Sequence, residues 1–144
     1  MPILFENASA VPCPEAELTA LAAHAMEYMN LDSRLELSIL AVDEGEMERL
    51  HLEWMDEPGP TDVLSFPMDL PEKKGDIVTL GDIVIAPAVA EKQALTAGHS
   101  TESEIYILAV HGLLHILEYD HADPDEEKVM FALQEKIVKE WQTQ

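Results

Sequence analysis

The sequence predicts a single mixed α/β or α+β domain, and three observations carry this prediction. Four strand-like segments are interleaved with five helix-like segments along the chain. A length of 144 residues fits one hydrophobic core, and 47% of the residues are apolar, which favours a packed domain over a disordered chain. Because no linker or repeat divides the chain, we expect one domain over residues 1–144.

The four predicted strands are short apolar or alternating segments. They span residues 3–6, 35–42, 63–68 and 80–86. In the fourth strand, Gly81 indicates a position where another group approaches the backbone closely. The polar segment between the third and fourth strands, residues 69–75, predicts a loop.

The five predicted helices span residues 14–29, 43–55, 87–98 and 100–117, and the residues from 124 onwards. Three of them begin with a proline, which suits a first helical position. Asp43, with Glu46 three residues later, predicts a capping box for the second helix. Gly98 is suited to end the third helix, and Ser100 or Thr101 to cap the fourth.

The composition favours a cytoplasmic protein. Cys13 is the only cysteine, so no internal disulfide can form. The longest clean apolar run, residues 105–110, is far too short to cross a bilayer, so no membrane partner is expected. The N-terminal segment contains Glu6 and has no basic stretch, which argues against a secretory signal.

A formal net charge of −21 limits the kinds of partner. Twenty-nine acidic residues face eight basic ones, and the sequence has no basic stripe of the kind that binds the phosphates of a long nucleic acid. Taken alone, this charge favours a small substrate, a peptide or a basic protein partner.

Three histidines lie in the segment HGLLHILEYDH, residues 111–121. His111 and His115 are four residues apart on a predicted helix, which places both rings on one face. The turn that follows can bring His121 to the same point. Three neutral imidazoles hold zinc at about 2.0–2.1 Å and leave a fourth position for water, which is the catalytic pattern of zinc sites. The spacing therefore predicts one zinc ion per chain, bound by His111, His115 and His121.

The same histidine spacing occurs in the zinc-protease motif HExxHxxGxxH. Gly112 follows the first histidine here, so the glutamate that serves as general base in those proteases is absent. Glu118 stands where that motif has glycine. Both differences count against a protease.

The segment HGLLHILEYDH closely resembles the HGxLHLxGYDH signature of the YbeY endoribonuclease family, the bacterial rRNA maturation factors. Two further blocks match in order and spacing: PTDVLSFP at residues 60–67 and LGDIVIA at residues 80–86. The resemblance implies an α+β zincin-like domain with a small mixed sheet. It implies a cytoplasmic, metal-dependent endoribonuclease specific for single strands, which acts in 16S rRNA 3′-end maturation and ribosome quality control. It also implies that the three signature histidines are the zinc ligands.

Two positions depart from the family pattern. The family has a Tyr-Arg pair before the TDVLSF block, where this chain has Trp54 and Met55. Either Arg49, one or two helical turns earlier, takes the role of that arginine, or the enzyme does without it. Glu118 replaces the glycine of the signature. If that position requires a left-handed backbone, glutamate costs roughly 1 kcal/mol there.

The predicted reaction is attack on a phosphodiester beside the zinc ion, by an activated water or by a 2′-hydroxyl of the RNA. Asp120 is the carboxylate nearest to the ligands in sequence. It either accepts a hydrogen bond from a ligand histidine or caps the turn or the following helix.

For several other polar or aromatic residues the sequence predicts structural roles. Asp62 and Asp82 suit backbone contacts at turns, with a role beside the metal as the second choice, and Ser65 is expected to line the cleft. The remaining candidates are expected at the surface or in packing: His24, His51, His99, Trp54 and Trp141.

The net charge also bears on the partners. A zinc ion offsets only two of the 21 negative charges, so we expect basic ribosomal proteins to deliver the enzyme to its single-stranded rRNA. Two alternatives remain: a metal-dependent hydrolase of another bond, such as a peptide bond, and a ribosome assembly factor whose metal is mainly structural.

Overall fold

The computed structural model describes residues 3–32, 34–68, 79–119 and 122–144. In this part of the chain, four strands form one mixed sheet and five helices pack around it. The strands are β1 (Ile3–Asn7), β2 (Glu36–Ala41), β3 (Val63–Pro67) and β4 (Thr79–Ile85). The helices are α1 (Glu15–Tyr28), α2 (Glu44–Met55), α3 (Pro87–Ala97), α4 (Thr101–Ile116) and α5 (Pro124–Gln142). The predicted α+β class is confirmed, whereas the predicted loop at residues 69–75 lies outside the described residues.

The strand order is β1-β2-β4-β3, and β3 forms one edge of the sheet. β1, β2 and β4 run parallel to one another, and β3 runs antiparallel to β4. The register pairs Ser65 of β3 with Ile83 of β4. This arrangement places the edge strand, which carries part of the TDVLSF block, beside the C-terminal half of α4.

One face of the sheet carries the main hydrophobic core. Alternating residues of β2 and β4, which point to the same face, are almost fully buried. They pack against α1, α4 and α5 in one cluster: Leu37, Ile39, Ile83, Ile85, Leu21, Met26, Leu113, Leu114, Met130 and Ile137. This packing fixes α4 across the sheet.

The opposite face is less completely covered. Its smaller core consists of Val42, Met47, Leu64, Val84 and Ala86. Met47 is the one fully buried residue of α2, so this helix covers only part of the sheet.

Two glycines allow α4 to approach the sheet closely. A Cβ atom on Gly112 would lie 2.8 Å from Ile83 Cγ2 and 3.2 Å from Ser65 Oγ. A Cβ atom on Gly81 would lie 2.8 Å from the Phe66 carbonyl oxygen and 2.9 Å from Ile116 Cδ1. The close approach predicted at Gly81 is therefore confirmed. Because position 112 faces the sheet, the glutamate of the protease motif would clash with Ile83 in this fold.

The helix ends agree with the predictions to within one or two residues. The predicted capping interactions are found at α3 and α4 but not at α2. Ser100 accepts a hydrogen bond from the Ser103 amide, and Gly98 ends α3 in the left-handed region, with φ of 80°. The predicted capping box of α2 is wrong. Asp43 does occupy the N-cap position, but its carboxylate accepts from the amide of Ala10 at 2.9 Å instead of from its own helix.

None of the helices in the described ranges is both long and apolar enough to cross a membrane.

Candidate functional site

His111 and His115 lie in the last turns of α4 and face the same cavity. Their ring centroids are 4.6 Å apart, and the rings meet at 76°. The cavity has a volume of about 560 Å³. We call it the histidine cavity, and it is lined by Met55, Thr61, Asp62, Val63, Leu64, Ser65, Pro67, His111 and His115. The structure therefore brings together the two helical histidines that the sequence predicts as ligands.

Gln134 of α5 orients one of these rings. Its side-chain oxygen lies 2.9 Å from Nδ1 of His111. A carboxamide oxygen can only accept, so in this pairing Nδ1 of His111 is the donor, and in the neutral ring the other nitrogen, Nε2, carries the lone pair. The ring centroid of Phe131, on the same helix as Gln134, lies 6.0 Å from that of His111.

Gln134 is not among the site residues predicted from the sequence, although its spacing places it on the buried face of α5. It lies four residues from Met130 and four from Val138, which are both buried. A polar residue in the buried stripe of an amphipathic helix requires a partner, and here the partner is a site histidine.

The remaining predicted residues of the signature, Asp120 and His121, lie outside the described residues. Within the described ranges, no group of three or more His, Cys, Asp or Glu side chains is placed to hold a metal ion. The zinc ion, its three histidine ligands and the role of Asp120 therefore stay predictions.

The backbone after α4 forms a tight left-handed turn. The Tyr119 amide donates to the Leu114 carbonyl at 2.9 Å, and the Glu118 amide donates to the His115 carbonyl at 3.0 Å. These two bonds define a Schellman motif, whose central residue takes positive φ. Glu118 has φ of 73°, so the condition raised for the glycine position of the signature, a left-handed backbone, is met.

Ser65 ties the edge strand to the histidine helix. Its hydroxyl donates to the carbonyl oxygen of Gly112 at 2.9 Å. Ser65 lines the histidine cavity, as the sequence predicts. Because its proton is committed to a backbone carbonyl, Ser65 positions β3 against α4.

Asp62 borders the histidine cavity but serves the backbone and a neighbouring helix. One carboxylate oxygen accepts from the Val63 amide at 2.7 Å, and the other accepts from the Gln93 side chain of α3 at 3.2 Å. The predicted turn role of Asp62 is confirmed.

A second cavity of about 760 Å³ lies on the face of the sheet that α2 covers in part. We call it the aromatic groove, after Trp54 and Phe66. Its lining is largely apolar, and its polar members include Ser38, Glu46, Arg49 and Asp82. Met55, Ser65 and Pro67 line both cavities, so the groove and the histidine cavity adjoin at β3.

Arg49 belongs to the aromatic groove and is absent from the lining of the histidine cavity. Its guanidinium donates to Glu46 at 3.0 Å through Nε and to Glu53 at 2.6 Å. The hydrogen bonds from Arg49 lower the pKa of the Glu46 carboxyl. Its predicted substitution for the family arginine stays a prediction.

The two tryptophans differ in their surroundings. Trp141 packs edge-to-face on Tyr106 at 5.1 Å, as predicted for a packing residue. Trp54 contacts Phe66 at 5.9 Å but is 61% exposed, so the predicted packing role describes it only in part.

The expectation that His24, His51 and His99 are surface or packing residues is compatible with their contacts. Nδ1 of His51 lies 2.9 Å from the Gly59 carbonyl, and its Nε2 lies 3.1 Å from Glu57. His51 thus holds the loop between α2 and β3 that leads to Asp62.

The chain is similar to known proteins over nearly its whole length. The profile of the family described as "Endoribonuclease YbeY" matches residues 5–142. A protein of that name from Clavibacter sepedonicus is 51% identical over 143 residues, covering 96% of this chain and 94% of the relative. Another, from Acidothermus cellulolyticus, is 50% identical over 150 residues, covering 98% of this chain and 92% of the relative.

A solved structure gives the same result for the fold. The solution structure of a Thermotoga maritima protein superposes with a TM-score of 0.63 at 27% sequence identity. The match covers 97% of this chain and 87% of that protein.

Proposed function

Because this chain belongs to the YbeY endoribonuclease family, we propose that it cleaves single-stranded ribosomal RNA in the histidine cavity. As a member of this family the chain is an endoribonuclease, a hydrolase of phosphodiester bonds. The observation that carries the proposed location is the convergence of His111 and His115 on one cavity, with ring centroids 4.6 Å apart.

The proposed cofactor is one zinc ion, held by His111, His115 and His121. Two features of the described residues support such an ion: the rings of His111 and His115 line one cavity, and Gln134 pairs with Nδ1 of His111, as an outer hydrogen-bond partner of a ligand imidazole would. When bound, zinc would supply a Lewis acid that offsets the negative charge of the scissile phosphate.

The chain's own residues then hold the reacting parts in place. Gln134 fixes the tautomer and the orientation of His111. Ser65 holds the edge strand against α4 at Gly112, the residue next to His111, and so sets the width of the histidine cavity. A scissile phosphate in this cavity would lie between β3 and the end of α4.

The proposed cellular role is 16S rRNA 3′-end maturation and ribosome quality control in the cytoplasm. The charge of the chain supports association with basic ribosomal proteins. In the described part of the chain, ion pairs with acidic side chains are formed by Arg34, Arg49, Lys92 and Lys139. With 29 acidic and eight basic residues, the chain has a large negative excess, which would attract a basic partner at low ionic strength.

The direct test is metal content and cleavage of single-stranded rRNA, measured together for wild type, His111→Ala and His115→Ala. We expect about one zinc ion per wild-type chain, and loss of both zinc and cleavage in each variant at unchanged circular dichroism. Full cleavage by a folded, zinc-free His115→Ala protein would refute the proposal.

The same variants separate the assembly-factor alternative. If His115→Ala lost cleavage in vitro but restored normal 16S rRNA 3′ ends in a deletion strain, the cellular role would be structural. We expect it to fail in both assays.

A further inference from the structure

We infer that the aromatic groove is a stacking subsite for an unpaired base of the RNA whose phosphodiester is cleaved in the histidine cavity. This inference rests on the proposed function, since it takes single-stranded RNA as the substrate.

The groove exposes large side chains that a folded protein would ordinarily cover. Trp54 is 61% exposed, and Met55 and Met68 are 45% and 46% exposed. All three line the same groove as the half-buried Phe66. Exposed apolar side chains that cluster in one groove indicate a binding surface.

Trp54 is held in position before any ligand arrives. Its ring meets the ring of Phe66 at 72°, with centroids 5.9 Å apart. Phe66 is in turn packed against the small core of this sheet face. An edge-to-face contact of this kind fixes one side of an indole and leaves its remaining surface for a flat ligand, such as a nucleobase.

The position of the groove favours the substrate RNA over a separate partner. Met55, Ser65 and Pro67 line both the groove and the histidine cavity. β3, which carries two of them, is the edge strand. A single strand that crosses this edge can therefore place a phosphate beside the histidines and a neighbouring base against Trp54.

The charge of the groove favours a base over a phosphate. Among the described residues that line it, Arg49 is the one cation, and this residue already binds Glu46 and Glu53. Asp82 and Glu46 add negative charge nearby. Stacking needs no cation, because every base has an aromatic face.

Fluorescence of Trp54 provides the binding assay. In a Trp141→Phe background Trp54 is the only tryptophan, and its emission reports directly on the groove. We expect it to be quenched on addition of a single-stranded oligoribonucleotide that is 2′-O-methylated to prevent cleavage. A duplex of the same sequence should give little response, since its bases are already stacked.

Affinity is then compared between Trp54→Ala and Leu52→Ala by fluorescence anisotropy of labelled RNA. Leu52 is a matched control, since it is 55% exposed on the same helix and does not line the groove. We expect Trp54→Ala to weaken binding about 5- to 150-fold, the range given by alanine substitution of stacking residues, and Trp54→Phe to retain most of the affinity. Leu52→Ala should bind like wild type.

A series of oligonucleotides, each with one abasic position, locates the base. At one position, removal of the base should weaken RNA binding by wild type as much as Trp54→Ala does. The same abasic RNA should bind the Trp54→Ala variant no more weakly than the intact RNA does. Equal affinity for Trp54→Ala and Leu52→Ala would overturn the inference. So would a Trp54 emission that responds to a basic peptide and not to RNA, because the groove would then be a protein-docking site.

Failure of the proposed function gives a different result. In that case wild-type protein would leave the unmodified RNA intact. If only the subsite inference fails, wild type cleaves the RNA and Trp54→Ala cleaves it with an unchanged KM.

Discussion

The two cavities that meet at β3 are built in opposite ways. The histidine cavity is held by directed hydrogen bonds: His111 pairs with the side-chain oxygen of Gln134, Ser65 donates to Gly112, and Asp62 accepts from Val63 and Gln93. The aromatic groove is formed by apolar side chains that are largely exposed, steadied by one edge-to-face contact. A bond-cleaving site requires fixed geometry, whereas a surface for unpaired bases has to accept different sequences. Under the proposed function, a rigid cleavage site and an adaptable base-binding surface would therefore lie side by side.

Removal of the metal should give the largest difference between the two cavities, because it should abolish cleavage and leave most of the RNA binding. Prolonged treatment with a strong chelator should reduce cleavage to background, because the Lewis acid is lost. Binding of the 2′-O-methylated RNA should fall only a few-fold, because the aromatic groove is intact. Cleavage and anisotropy measured on one chelated sample test this contrast, and restored cleavage on adding zinc is the control. Full activity without metal would contradict the zinc proposal.

Gln134→Ala should weaken the histidine cavity alone. Loss of an outer hydrogen-bond partner of a ligand histidine lowers metal affinity about 10- to 100-fold. Competition with a chromophoric zinc chelator measures this change, which does not depend on activity. Gln142→Ala, an exposed position on the same helix, is the control. Equal zinc affinities for the two variants would mean that the contact with His111 has no influence on the metal.

Gly112→Ala should disturb the contact that sets the width of the histidine cavity. The added methyl group would meet Ile83 at 2.8 Å, and overpacking of this kind costs about 1–3 kcal/mol in the free energy of unfolding. Gly45→Ala is matched in chemistry: Gly45 lies in helix α2, with nothing within 4 Å of the added atom. That control should be stabilised by about 0.5–1 kcal/mol. Urea denaturation of the pair measures both effects, and a stabilised Gly112→Ala would contradict the packing described here.

Glu118→Gly should stabilise the turn after α4. Glu118 has φ of 73°, a conformation that costs a residue with a side chain about 1 kcal/mol relative to glycine. Thermal or urea denaturation should show a gain of about that size. Glu118→Ala removes the same charge but keeps the strained backbone, so a similar gain in that variant would assign the effect to charge instead.

The smallest expected effect is that of salt on RNA binding. A protein that makes six to ten phosphate contacts loses about 10³- to 10⁵-fold in affinity between 50 and 200 mM salt. Because this chain has a net charge of −21 and is proposed to bind RNA by stacking, we expect its affinity for RNA to change less than about tenfold over that range. Anisotropy titrations at several salt concentrations measure the slope, and a steep loss of affinity would indicate phosphate contacts on a surface other than the groove.

Local pattern predicted much of this architecture. The strand and helix positions, the close approach at Gly81 and the place of Ser65 all follow from nearby residues, and comparison with the family signature raised the left-handed turn at Glu118. What the sequence did not reveal depends on contacts between distant segments. Asp43 bonds an amide 33 residues away instead of its own helix, and Gln134 reaches a histidine 23 residues away. The exposure of Trp54 depends on how little of the sheet α2 covers, which no local pattern encodes.

Because β3 contributes to both cavities, both should be disrupted together when the protein is heated. Edge strands are held from one side only, and such elements open at lower free energy than the centre of a sheet. Detachment of β3 would remove Ser65 and Pro67 from both cavities at once, while the core beneath α4 stayed folded. Thermal inactivation should therefore precede global melting, and amide hydrogen exchange in β3 should report the loss of both cavities before calorimetry detects unfolding.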